Sequence, residues 1–234
     1  MKEIIIIRHG ESEWNKENRF TGWQDVELSD KGIEEAIDAG KLLLKTGYHF
    51  TLAYSSVLRR ANETLRYVLK EIGQVDLETI YSWKLNERHY GALQGLNKDE
   101  TRQRYGDAQV QKWRRDMYEK PPLLLKSDKR YPGHDEKYKN LAEAELPLGE
   151  NLFDTMQRVN AFYEESIEPS LKAGAKILIV AHGNSLRALV AYLEHLDDAA
   201  VMKLEIPTGR PVVLEMDDDL KLTKRYFLDE KGGK

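Results

Sequence analysis

The sequence predicts an α/β fold with a mostly parallel central sheet and helices on both faces, and three observations predict it. Ile4-Ile5-Ile6-Ile7 and Ile177-Leu178-Ile179-Val180 are apolar runs without polar alternation, as expected of strands buried on both faces. Strand-type and helix-type patterns alternate from the start of the chain, which calls for crossover helices between parallel strands. The 234 residues are 41% apolar and 32% charged, enough for one sizeable core, so a single domain over residues 1–234 is expected.

The elements follow in order. The first apolar run is a strand, and after a polar loop Ser29 is a plausible cap for a helix. In that helix Ile33, Ala36, Ile37, Gly40, Leu43 and Leu44 recur at helical spacing until Gly47 stops it. A short strand around residues 50–54 leads into a helix whose apolar side carries Leu58, Ala61, Leu65, Leu69 and Ile72, ended by Gly73. A third strand is expected near residues 77–81, and a long helix carries Leu152, Met156, Val159, Phe162 and Ile167 before the second apolar strand. Residues 106–148 break the rhythm with mixed charges, Pro121-Pro122 and Tyr131-Pro132-Gly133, and read as an insertion that serves as a lid or binding element. The polar residues 229–234 are expected to be a mobile tail.

Charge and composition narrow the function. Thirty-six Lys and Arg against forty Asp and Glu give a net charge of -4, so no global field attracts nucleic acid or an anionic membrane. The first residues hold no apolar stretch of signal-peptide length, and the chain has no cysteine, so a cytoplasmic location is expected.

Both apolar strands end in His-Gly, in Arg8-His9-Gly10-Glu11-Ser12 and Ala181-His182-Gly183-Asn184-Ser185. Ligands of open parallel sheets bind beyond the carboxyl ends of strands, so two imidazoles there can face one pocket. Arg19, Arg60, Lys98, Arg114 and Arg115 supply cations able to fork around phosphate. Neither GxGxxG nor GxxxxGK[ST] is present, which removes the usual nucleotide cradles, and there is no GxSxG to activate Ser12 or Ser185. HExxH and cysteine pairs are also lacking, and Arg8, Arg60 and Arg187 would repel a cation, so no metal is expected. A histidine nucleophile attacking phosphorus fits this set best.

Over nearly its whole length the chain resembles the cofactor-dependent phosphoglycerate mutases of the histidine phosphatase superfamily. The blocks that carry the resemblance are RHGESEWN (8–15), NRFTGWQDVELSDKG (18–32), SSVLRRA (55–61), LNERHYGALQGLNKDET (85–101), KWRRD (112–116), AHGNSLRAL (181–189) and IPTGRP (206–211). The resemblance implies that His9 is phosphorylated on its ring, with Arg8, Asn15, Arg60 and His182 around the transferring group. It implies Glu87 as proton donor and acceptor, and Ser12, Thr21, Gly22, Arg88, Tyr90, Lys98, Arg114, Arg115, Gly183 and Asn184 as the substrate-binding set. From spacing alone, the alternative for Glu87 is a salt bridge to Arg88 or to another pocket cation. The implied activity is the glycolytic interconversion of 3- and 2-phosphoglycerate, primed by 2,3-bisphosphoglycerate without a metal, in a homodimer. Alternatives on the same residues are a histidine phosphatase, a bisphosphoglycerate synthase, or a catalytically silent phosphate-binding protein. Gly149-Glu150-Asn151, Val180 and Arg210 depart from the family pattern.

Overall fold

A computed structural model describes residues 2–230. One six-stranded sheet, in the order β3-β2-β4-β1-β5-β6, organises it. Strands β1 (Lys2–Arg8), β2 (Leu52–Ser55), β3 (Thr79–Tyr81) and β4 (Ile177–Ala181) run parallel, while β5 (Val212–Met216) and β6 (Leu222–Phe227) form an antiparallel edge. The mostly parallel sheet expected from sequence is present; the antiparallel pair was not anticipated.

The central strand explains the unalternating apolar runs. Ile4 and Ile6 enter one buried cluster with Ile177, Ile179 and Leu214, while Ile5 and Ile7 enter another with Leu178, Val180 and Val213. Each face of the sheet therefore needs its own helical cover. Helices α1 (Glu13–Lys16), α2 (Asp30–Lys45) and α3 (Arg59–Glu71) follow the first strands, with Ala39, Leu43, Ala61 and Leu65 packing on the Ile5 side. Ser29 caps α2 through its hydroxyl, which accepts from the amide of Gly32.

Helices α4 (Lys98–Tyr105) and α5 (Asp107–Arg115) come next. The second corrects the expectation of an irregular insertion, because only Val110 and Trp113 are buried in it and two apolar positions give no visible period. Beyond α5 the insertion lacks long elements. It is pinned by Arg130, which donates to the carbonyls of Ala92 and Gln94, and by Tyr138, which packs on Trp23. Helix α6 (Leu152–Phe162) continues through a π segment, Tyr163–Ile167, into α7 (Glu168–Lys172), so the expected long helix is present with a local change of hydrogen-bond pattern. Helix α8 (Gly183–Glu194) packs on the Ile4 side, and α9 (Asp198–Lys203) precedes β5.

Of the expected tail, residues 231–234 lie outside the described residues. Asp229 and Glu230 belong to a short 3-10 turn held by Arg210, which pairs with both carboxylates and stacks on the Phe227 ring at 3.6 Å. No described helix is long and apolar enough to cross a membrane.

Candidate active site

Register places the two His-Gly segments side by side. Strands β1 and β4 are adjacent and parallel with Arg8 opposite Ala181, so both chains leave the sheet together. The His9 amide donates to the Ala181 carbonyl at 3.0 Å, and the His9 and His182 rings lie 5.0 Å apart between centroids.

Local hydrogen bonds fix the chemistry of each ring. His9 Nδ1 is 2.6 Å from the Gly10 carbonyl oxygen, which can only accept, so Nδ1 carries the proton and Nε2 keeps its lone pair. Burial first, then Arg60 and Arg8, hold the His9 imidazole well below its usual value, so the ring is neutral at pH 7. His182 Nε2 meets the Ser56 hydroxyl at 2.7 Å, while that oxygen also accepts from the Leu58 amide. Donation from Ser56 to Nε2 leaves no hydroxyl hydrogen stranded, and it places the His182 proton on Nδ1. That buried Nδ1 has no partner.

Cations surround the His9 lone pair. Arg60 donates from Nε to His9 Nε2 at 3.3 Å, and its other nitrogens donate to the carbonyls of Gln24 and Gly22. Burial lowers its pKa to about 10, still well above neutrality. Arg8 is tied to the Ile206 carbonyl at 3.0 Å, leaving its buried Nε unpartnered. Asn15 accepts from the amide and hydroxyl of Ser12 through Oδ1, so its NH2 group remains to face a ligand.

Glu87 shares this pocket, its Oε1 accepting from the amides of Arg88 and Asn184 at 2.7 and 3.2 Å. Its carbonyl is gripped by Trp23 Nε1 at 2.6 Å and by Arg158 at 2.9 Å. Arg158 also pairs with Glu150 at 2.7 Å, both side chains only 7% exposed. This buried pair braces the segment that carries Glu87, since Arg158 also donates to the carbonyls of Lys84 and Asn86.

The pocket, about 210 Å³, extends from this cluster to a second group of cations. Lys98, Arg114 and Arg115 line it, as do Tyr90, Thr21, Gly22, Gly183 and Asn184. Burial first, then Arg114 and Arg8, lowers Lys98 to about 8. Counted over the lining, seven Lys and Arg face two carboxylates, so a chain of net charge -4 builds a strongly positive cavity. Such a cavity can bind a small polyanion and expose one of its phosphoryl groups to a neutral imidazole. Among the described residues, no group of three or more His, Asp or Glu side chains is placed to hold a metal ion.

The family model of the histidine phosphatase superfamily, branch 1, matches residues 4–127 and 125–229. The chain belongs to that superfamily. Its fold is similar to that of alpha-ribazole phosphatase from Shigella flexneri, at 22% identity and a TM-score of 0.70, over 95% of this chain and 94% of that one. It is also similar to a mycobacterial glucosyl-3-phosphoglycerate phosphatase, at 24% identity and a TM-score of 0.72, over 97% of each chain.

For this superfamily member the expected residues sort into three groups. Arg8, His9, Asn15, Arg60 and Glu87 line the pocket with the second cationic group, while His182 lies fully buried beside His9. Ser12 and Arg88 do not line it. The Ser12 hydroxyl caps α1 and bonds Asn15, so it acts on the pocket only through that neighbour. The Arg88 side chain turns into the protein, donating to the carbonyls of Glu150 and Glu119, while its backbone amide donates to the Glu87 carboxylate. No Glu87–Arg88 salt bridge forms; only the amide of Arg88 meets that carboxylate. Arg19, expected as a phosphate-facing cation, lines the pocket, and so do Phe20, Arg187 and Glu205, to which the sequence assigned no binding role. Arg187 was findable: it sits three residues after Asn184 on α8 and donates to Asn184 Oδ1 at 2.8 Å.

Proposed function

We propose that this protein is a phosphoglycerate mutase that moves a phosphoryl group between the two hydroxyl positions of glycerate through phospho-His9. The observation that carries the reading is the second cationic group. Lys98, Arg114, Arg115 and Arg187 line the same cavity as His9, Arg8 and Arg60, so it carries more cationic groups than a single phosphate at His9 would use. A mutase must hold a carboxylate and two phosphates in one cavity, and the number of cations lining this one supports that reading.

The residues perform the cycle as follows. The phosphoryl group on His9 Nε2 passes to the free hydroxyl of 3-phosphoglycerate, the N–P bond breaking as the new O–P bond forms. Glu87 takes the hydroxyl proton. Arg8 and Arg60 neutralise the equatorial oxygens. After the bound molecule turns over, His9 Nε2 takes the other phosphoryl group, Glu87 returns the proton, and 2-phosphoglycerate leaves.

A 2,3-bisphosphoglycerate primer fits the groups present, because Arg8 Nε, Thr21 Oγ1, Arg115 Nη1 and His182 Nδ1 are buried polar atoms without partners at this site. When bound it supplies the phosphoryl group that charges His9. The reading places the enzyme in the cytoplasm as a homodimer acting on small phosphoglycerates.

Phosphorus NMR of 3-phosphoglycerate with trace bisphosphate and excess chelator tests the proposal. Isomerisation outrunning phosphate release is expected. Phosphate release outrunning isomerisation would make the protein a phosphatase, the activity named for both structural relatives above.

A further inference from the structure

We propose that Glu205 is an affinity-setting residue of this pocket, an internal anion that occupies Arg115 until the second anion of a substrate displaces it. The inference rests on the phosphoglycerate reading for its substrate and on the geometry for the contact.

Arg115 ends α5, and Glu205 lies in the loop between α9 and β5, so the pair joins two elements distant in sequence at the pocket. The Arg115 Nη2 to Glu205 Oε1 distance is 2.6 Å. The same loop anchors a second pocket cation, because the Leu204 carbonyl accepts from Arg187 Nε at 2.9 Å. Glu205 and Glu87 are the carboxylates of the lining, and the Glu87 carboxylate is held by two amides. Glu205 has no such fixation: its side chain is 66% exposed, that of Arg115 29%.

Exposed pairs of this kind contribute little to stability, so the contact is easily exchanged. A planar carboxylate on a ligand can take both edges of the Arg115 fork, including the buried Nη1 that has no partner in the protein. Ligands with one anion do not reach both ends of the cavity and leave Glu205 in place. Those with two displace it. Glu205 thereby competes with any ligand anion at Arg115, so a two-anion substrate binds more weakly than the cations alone would allow, while a single anion held at His9 is unaffected.

The variant Glu205→Gln keeps the shape and removes the charge. In the unliganded protein, phenylglyoxal modification followed by mass mapping should show Arg115 reacting several-fold faster in the variant, with Arg66 as an unchanged internal reference. By calorimetry, 3-phosphoglycerate should bind about two- to fivefold tighter to the variant, the range an exposed ion pair allows, while orthophosphate binding stays the same. In an Arg115→Gln background the same substitution should have no effect on 3-phosphoglycerate. Equal Arg115 reactivity in the two proteins, or 3-phosphoglycerate binding that is unchanged or weaker in Glu205→Gln, overturns the proposal. If neither protein binds 3-phosphoglycerate, the functional reading fails, and Arg115 reactivity alone decides whether Glu205 holds that side chain.

Discussion

The Nδ1 hydrogen of His9 points at the Gly10 carbonyl oxygen 2.6 Å away, and that bond decides which ring nitrogen does chemistry. With Nδ1 committed, Nε2 is the lone pair offered to the pocket, and Arg60 already marks its direction. The fold supplies the geometry by placing β1 beside β4, and burial with two guanidinium groups supplies the neutral state.

Glycine at positions 10 and 32 is needed for that geometry. A Cβ on Gly10 would collide with the backbone carbonyl of Gly32, and one on Gly32 with that of Glu11, so the first turn of α2 sits against the loop that aims His9. Gly10→Ala and Gly32→Ala should each cost about 1–3 kcal/mol in urea unfolding, as overpacking against rigid backbone does. Gly10→Ala should also slow His9 phosphorylation.

Stability should fall in acid because of buried neutral histidines. His89 is lowered to about 4, chiefly by burial, and its Nδ1 accepts from the Gly91 amide, a bond that protonation destroys. The unfolded chain takes up this proton near pH 6.5 and the folded one only near 4, so its contribution is complete above 6.5 and disappears as pH falls toward 4. The loss is roughly 3 kcal/mol for His89, and His9 and His182 act in the same direction. Urea midpoints should hold between pH 7.5 and about 6.5 and decline from there to pH 4.5. A flat profile would show that these rings are not buried neutral.

Lys98 gives the opposite dependence in catalysis. Its lowered pKa of about 8 means that the free enzyme loses this cation as pH rises through that value, and kcat/KM for 3-phosphoglycerate should fall with it. Lys98→Arg, charged throughout, should move the decline to higher pH.

Much of this was legible because the decisive residues stand beside unambiguous strands. Ile4 to Ile7 and Ile177 to Val180 have no competing helical period, so the two His-Gly ends were found before any geometry was known. Strands β5 and β6 were harder. The second exposes Thr223, Lys224 and Arg225 and reads as a polar segment until β5 is there to pair with it. Arg88 shows the limit of motif reasoning: it adjoins Glu87 in sequence, yet its side chain braces the interior through Glu150 and Glu119. Arg210, a departure from the family pattern, acquires a physical role once Phe227, Asp229 and Glu230 are seen around it.

Mapping the phosphorylated atom tests the central claim most directly. The protein is exposed briefly to 2,3-bisphosphoglycerate and kept from acid, then digested for mass mapping, with nitrogen NMR of the labelled intact protein to distinguish the ring positions. The account predicts one acid-labile phosphoryl group on His9 Nε2 and none in His9→Ala. A phosphoryl group on Nδ1, on His182 or on a serine, or its persistence in His9→Ala, would contradict it.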